Sequence, residues 1–239
     1  MRHIFALLYF ILVSIFVAAQ QKTVVLTFDD AIASHYSVAG PALKKYNFGA
    51  TFYVCEFPPD FADSSKYLNW RQIKSLADDG FEIGNHTWHH TSVNDVSIEK
   101  LETEIAYIEE KCGTLSIPKP ASFAYPGCPP SQAAADLLRK RGYSSARTCE
   151  AKAYHPGKDN PFFLPSYAIG GTDTTAFYNA LSNQKDGEFV VFLFHGVPDH
   201  AHEWVNTPED VFLKYMEYLH RNKYRVIAMK DVFGLRYQE

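Results

Sequence analysis

"TVVLTFDD", residues 23–30, sets six uncharged residues directly against two aspartates. A strand without a polar face has no side to turn to water, so it belongs inside a parallel sheet covered by helices. The same texture recurs outward along the chain. "ATFYV", "FEIG", "SFAYP", "YSSAR", "FLPSYAI", "VVFLFH" and "YRVIAM" read as further short strands, several of them apolar throughout. Between them, "GPALKKYN", "NWRQIKSLADDG", "SIEKLETEIAYIEEKCG", "SQAAADLLRKRG", "TTAFYNALSNQ" and "PEDVFLKYMEYLHRN" carry helical spacing, and several end on Gly or Asn, as helices do. Strands alternating with helices in this way predict an α/β fold, a (β/α) barrel of seven or eight strands. An open doubly wound sheet is the competing architecture, but no glycine-rich loop supports the nucleotide site that such sheets carry.

Ahead of the first strand, "MRH" leads into "IFALLYFILVSIFV" and then "AAQ". A short basic start, an apolar core and small residues at its end are the features of a secretory signal. Cleavage is expected before Gln20, which makes residues 1–19 a signal peptide and 20–239 a single domain. The alternative is an uncleaved anchor, although the run is shorter than the roughly twenty residues that a span needs. The expectation is an exported protein (periplasmic, extracellular or cell-surface) with no stable membrane span after cleavage. A net charge of −4 gives a polyanion nothing to bind, so no nucleic-acid partner is expected. The four cysteines, Cys55, Cys112, Cys128 and Cys149, form no CxxC pair and so do not read as a zinc knuckle. Export permits disulfides. Cys128 and Cys149, which follow successive strands on one rim, are the expected pair.

In a barrel of this kind chemistry gathers at the carboxyl ends of the strands. The first strand ends in Asp29 and Asp30, the third in Asn85 and His86 with His90 following, the fourth in "YPGC" and the seventh in His195. Adjacent carboxylates at the end of a buried strand repel and lose hydration, so one resists ionising unless a cation is present. The other reading is that both cap a wet loop. "HTWHH", residues 86–90, is likewise open to two readings: a metal site on His86 and His90, or a polar loop that happens to carry histidines. Imidazoles four apart fall on one side of a helical turn or a tight loop. With one carboxylate they make a three-ligand set with room for water and substrate, the pattern of catalytic zinc. We favour the metal, with His89 pointing elsewhere. Trp88 and Trp204 suit a sugar groove or core packing. His200 and His202 either touch substrate or lie on the surface, and His35, His155 and His220 are assigned no role.

Four motifs then carry a resemblance. "TFDD" (27–30), "HTWHH" (86–90), "FAYP" (123–126) and "LFH" (193–195) occur in this order, and the chain from about 24 to 232 resembles the NodB-type polysaccharide deacetylases, carbohydrate esterase family 4. The resemblance implies a distorted (β/α) barrel of about seven parallel strands. It implies one divalent metal ion, usually zinc, held by Asp30, His86 and His90. It makes Asp29 the general base, His195 the general acid for the departing sugar nitrogen, and the backbone N–H of Gly127 a donor to the oxyanion. A metal that polarises the acetyl carbonyl and acidifies water, a carboxylate base and an imidazole acid form a consistent chemical set.

The chain also departs from the family. Where the third motif often begins with an arginine that pairs with the base, Ala124 stands, and Gly127 replaces a usual aromatic. Ala31 replaces a common glycine, and the tryptophan-containing fourth motif is not recognisable. Arg147, near the end of the following strand, is the expected replacement for the arginine, the alternative being an ordinary surface or salt-bridged residue. The implied activity is a metal-dependent hydrolase that removes acetyl groups, N-acetyl ahead of O-acetyl, from a polysaccharide or oligosaccharide. The alternatives are a catalytically degenerate carbohydrate-binding homologue, suggested by Ala124, and a related C–N hydrolase on a small amide.

Overall fold

The computed structural model describes residues 21–57 and 59–233. The expected signal peptide, residues 1–19, and its cleavage point before Gln20 lie outside them. Eight strands form one sheet: β1 (Thr23–Phe28), β2 (Thr51–Val54), β3 (Glu82–Asn85), β4 (Ser122–Ala124), β5 (Ser145–Arg147), β6 (Tyr167–Ala168), β7 (Phe189–Phe194) and β8 (Arg225–Ile227). Every pairing between these strands is parallel. Seven follow one another in the order β5-β4-β3-β2-β1-β7-β6, and β8 pairs with β1. β1 is buried along its whole length, as its uncharged sequence requires. It pairs with β7 from end to end, while β8 lies beside Thr23–Val25 and β2 beside Thr27 and Phe28.

The sheet curls because one short segment touches both of its ends. Leu164 bridges to Arg147 on β5, and Tyr167 and Ala168 pair with β7. Pro165 lies between them and has no N–H to give to a ladder. The strand expected over "FLPSYAI" is therefore reduced to two residues. Around the sheet lie α1 (Gly40–Lys45), α2 (Trp70–Asp78), α3 (Ile98–Thr114), α4 (Gln132–Lys140), α5 (Thr175–Asn183), α6 (Glu209–Arg221) and α7 (Met229–Val232). Asn69 and Gln72 start α2 with a reciprocal capping box. Among the described residues no helix is long and apolar enough to cross a membrane.

An aromatic layer sets the level of the site. Phe28 is in register with Phe52 on one side and Phe194 on the other, and its ring stacks on both at 5.0 and 5.5 Å. The residues that follow β1 and β7, Asp29 and His195, therefore leave the sheet at the same height. A second packing relation lies one strand further on. Tyr53 and Gly84 are register partners, and a Cβ on Gly84 would stand 2.3 Å from the Tyr53 ring. Glycine is needed here for close approach rather than for backbone freedom. Gly84→Ala forces the buried Tyr53 ring off its seat, and we expect a loss of about 1–3 kcal/mol from overpacking. Denaturant unfolding measures it, and an unchanged midpoint would mean that Tyr53 moves at no cost.

Candidate active site

The end of β1 separates its two carboxylates. Asp29 stays on the ladder, donating its N–H to the Phe194 carbonyl at 2.9 Å. Asp30 and Ala31 then turn into the left-handed region, with φ of 75° and 51°. This conformation is costly for residues with a Cβ and persists where surrounding structure enforces it. β3 delivers the histidines. His86 donates its N–H to the Val54 carbonyl, and the chain then bends through Thr87 and His90, both at positive φ. The pair thus sits on a tight loop and not on a turn of helix.

His86 Nδ1 lies 2.8 Å from the Ala124 carbonyl, which can only accept, so in the neutral ring Nδ1 carries the proton and Nε2 the lone pair. That lone pair faces Asp30, with Nε2 3.4 Å from Oδ1, and His90 Nε2 lies 3.6 Å from the same oxygen. One donor atom from each of Asp30, His86 and His90 falls within 4.8 Å of the others. Two ligands each about 2.1 Å from an ion at a tetrahedral angle stand about 3.4 Å apart, so the spacing fits a shared cation. Burial raises the Asp30 pKa, but His86, followed by His195 and His90, holds it well below the usual carboxylate range. Burial, and then the nearby His86, push His90 down to about 4, which leaves its imidazole neutral. Burial also works against a charged His86, but Asp29 and Asp30 outweigh it and the net shift is upward.

Arg147 is only 1% exposed, so it is not a surface residue. Its Nη2 pairs with Asp29 Oδ2, Nη1 lies 3.3 Å from Ser166 Oγ, and its guanidinium stands 5.4 Å from the Tyr53 ring centroid. It starts on β5 as the register partner of Ala124 and reaches β1 across the interior of the curled sheet. The other Asp29 oxygen, Oδ1, is buried and has no hydrogen-bond partner among the described residues.

His195, directly after β7, places Nε2 3.8 Å from Asp30 Oδ2. Its carbonyl accepts from His35 Nε2 at 2.9 Å, and burial lowers the His35 pKa to about 4, so that ring stays neutral. Gly127, at φ 67°, precedes Cys128, which is disulfide-bonded to Cys149 with a Cα separation of 5.4 Å. Asp29, Asp30, His86, His90, Gly127 and His195 all line one pocket of about 370 Å³.

Two of the three residues between His86 and His90 are clamped by glutamates. His89 points away from the cluster, and its N–H and Nδ1 meet Glu104 at 2.9 and 3.0 Å. Trp88 donates to Glu56 at 3.0 Å and stacks on Tyr107 at 3.9 Å, so it packs the loop. Glu56 also accepts from Trp70 and Tyr107. Our reading of the sequence missed Glu56, Glu104 and His35. A signal existed for the first two: Glu56 follows the end of β2, and Glu104 interrupts the apolar stripe of Leu101, Ile105 and Ile108 on α3. His35 carried none, because its contact is with a carbonyl 160 residues away.

The family model described as polysaccharide deacetylase matches residues 17–146, more than half of the chain. The chain belongs to the polysaccharide deacetylase family. Within the family, it is 29% identical over 126 residues to the peptidoglycan-N-acetylglucosamine deacetylase of Bacillus cereus, covering 52% of this chain and 55% of that protein. The chain spans between about a third and about half of the length of the curated relatives it matches. Among solved structures, a family 4 carbohydrate esterase from Bacillus anthracis superposes with a TM-score of 0.61 at 18% identity, over 90% of this chain and 84% of that one. A family 4 acetyl xylan esterase from Clostridium thermocellum, solved with a cobalt ion, gives 0.61 at 21% identity over 89% and 91%. At these identities the likeness is one of fold, and it agrees with the curled parallel sheet.

Removing one partner of a buried ion pair strands the other. Arg147→Ala should therefore cost about 3–5 kcal/mol of stability. Arg147→Lys keeps the charge but not the planar fork, so it should recover only part of the loss. Chemical denaturation of the three proteins measures this, and an Arg147→Ala loss below about 1 kcal/mol would contradict a buried, dependent pair.

Proposed function

We propose that the chain is a metal-dependent hydrolase that removes acetyl groups, N-acetyl in preference to O-acetyl, from an amino-sugar polysaccharide or oligosaccharide. One observation carries the reading: a buried carboxylate, Asp29, held by Arg147 through one oxygen and unpartnered at the other, shares a pocket with the Asp30, His86 and His90 donor set. Asp30, His86 and His90 would hold the ion, and two imidazole nitrogens with one carboxylate suit zinc. A divalent ion there polarises a carbonyl oxygen and makes water more acidic. The name of the Bacillus cereus relative supports an N-acetylated amino sugar, and the cobalt complex of the Clostridium thermocellum esterase supports a divalent ion.

In this proposal Asp29 Oδ1 takes a proton as water adds to the acetyl carbon. Arg147 holds the other oxygen of that carboxylate and aims it, and so positions the base. The Gly127 N–H donates to the oxygen on which charge develops. The bond from the acetyl carbon to the sugar nitrogen then breaks, His195 gives its ring proton to that nitrogen, and the products are acetate and a free amine. The case for a degenerate binding module rested on Ala124, and the presence of Arg147 against Asp29 weakens it. Export belongs to the same proposal, supported by the Cys128–Cys149 disulfide, a bond favoured in oxidising compartments.

Acetate release from acetylated glycans, with and without chelator, tests the function. Activity on no acetylated glycan, or full activity after chelation, would refute it. His86→Ala should abolish uptake of a divalent ion, read by elemental analysis, because two remaining ligands seldom hold one against solvent. Asp29→Asn and His195→Ala should keep the ion yet lose about 10²–10⁴-fold in turnover. Near-normal acetate release by Asp29→Asn would show that another group takes the proton.

A further inference from the structure

The chain beyond His195 is built as a braced arm beside the pocket. Asp199 is 3% exposed, and its Oδ1 accepts from the N–H groups of Ala201 and His202 at 3.0 and 2.9 Å. Its own N–H donates to Asn206 Oδ1 at 2.8 Å, and Thr207 N–H reaches the Gly196 carbonyl at 3.1 Å to close the base of the arm. His202 Nδ1 lies 3.0 Å from Asp199 Oδ2. A carboxylate at Nδ1 fixes the tautomer and leaves Nε2 as an acceptor. Trp204, on the same arm, is 79% exposed, and its ring stands edge-on to His202 at 5.3 Å. Both side chains line the pocket that holds Asp29 and His195. The opposite side of the arm, through Asp199 and His200, walls a second cleft of about 500 Å³ shared with Ser34 and Lys66.

An indole left open to water is ordinary on a surface, but this one stands at the reacting pocket on a loop whose own bonds hold it in place. A pyranose ring has an apolar C–H face suited to an aromatic plane and hydroxyl donors suited to an imidazole acceptor. We propose that Trp204 and His202 form a sugar subsite next to the reacting position. The indole stacks on the neighbouring pyranose and His202 Nε2 accepts from one of its hydroxyls. The inference rests on the deacetylase reading and adds to it that the ligand is a glycan of several units, gripped beyond the sugar that loses its acetyl group.

The test is acetate release from N-acetylglucosamine and its oligomers, monomer through tetramer, by the wild type, Trp204→Ala, Trp204→Tyr and His202→Ala. Trp204→Ala should lower kcat/KM on the dimer and tetramer about 3- to 10-fold more than on the monomer, the size of one aromatic contact, with the change in KM. Trp204→Tyr should restore most of it, and His202→Ala should show the same dependence on length. A loss as large on the monomer as on the dimer and tetramer, or no loss on the dimer and tetramer, overturns the subsite and leaves the deacetylase reading intact. A wild type that releases acetate from none of the oligomers, nor from any other acetylated glycan, overturns both.

Discussion

The buried pair of Asp29 and Arg147 is the constraint on which the rest of the site depends. Removing both charges from water costs several kcal/mol per ion, and their attraction offsets it only when the remaining donors are placed. Around Arg147 the fold supplies Ser166 Oγ, the Thr148 carbonyl and the face of Tyr53, and it leaves Nε buried without a partner among the described residues. Tyr53 can lie there because Gly84, its register partner, has no side chain. Asp29 is likewise held at only part of its polar surface. One of its oxygens is held and the other is left buried without a partner among the described residues, an arrangement that costs stability.

The donor set next to it depends on supports outside the pocket. Ala124 contributes only its backbone carbonyl, yet that carbonyl decides which His86 nitrogen faces Asp30. Glu56 and Glu104 fix Trp88 and His89, so the loop between the two histidines is held from both sides while its backbone passes through left-handed conformations at Thr87 and His90. Strain of this kind, with Asp30 and Ala31 as further instances, is concentrated where side chains must be aimed, and the packed strands beneath make it tolerable.

The chain's departure from its family's third motif has a geometric account. Ala124 and Arg147 face one another across β4 and β5, so the guanidinium enters the barrel interior one strand away from the position the family resemblance implies. The disulfide ties the residue after Gly127 to a residue two beyond Arg147, so both positions rest on one covalent brace.

By itself the sequence determined the strand and helix alternation, because strands buried on both faces and amphipathic helices differ in period. It also determined which types of residue end the strands, two histidines on one loop and a pair of aspartates on another, while the choice of Asp30 to join His86 and His90 came from the family resemblance. Only the tertiary structure decided what Arg147 touches. It reaches Asp29 118 residues away through the interior, and no local pattern records that the sheet curls. The same holds for His35 and for the Asp199–His202 arm, whose partners are set by how loops from different strands meet at one rim. Local periodicity reports which face of an element is buried. It cannot report which distant side chain will be waiting there.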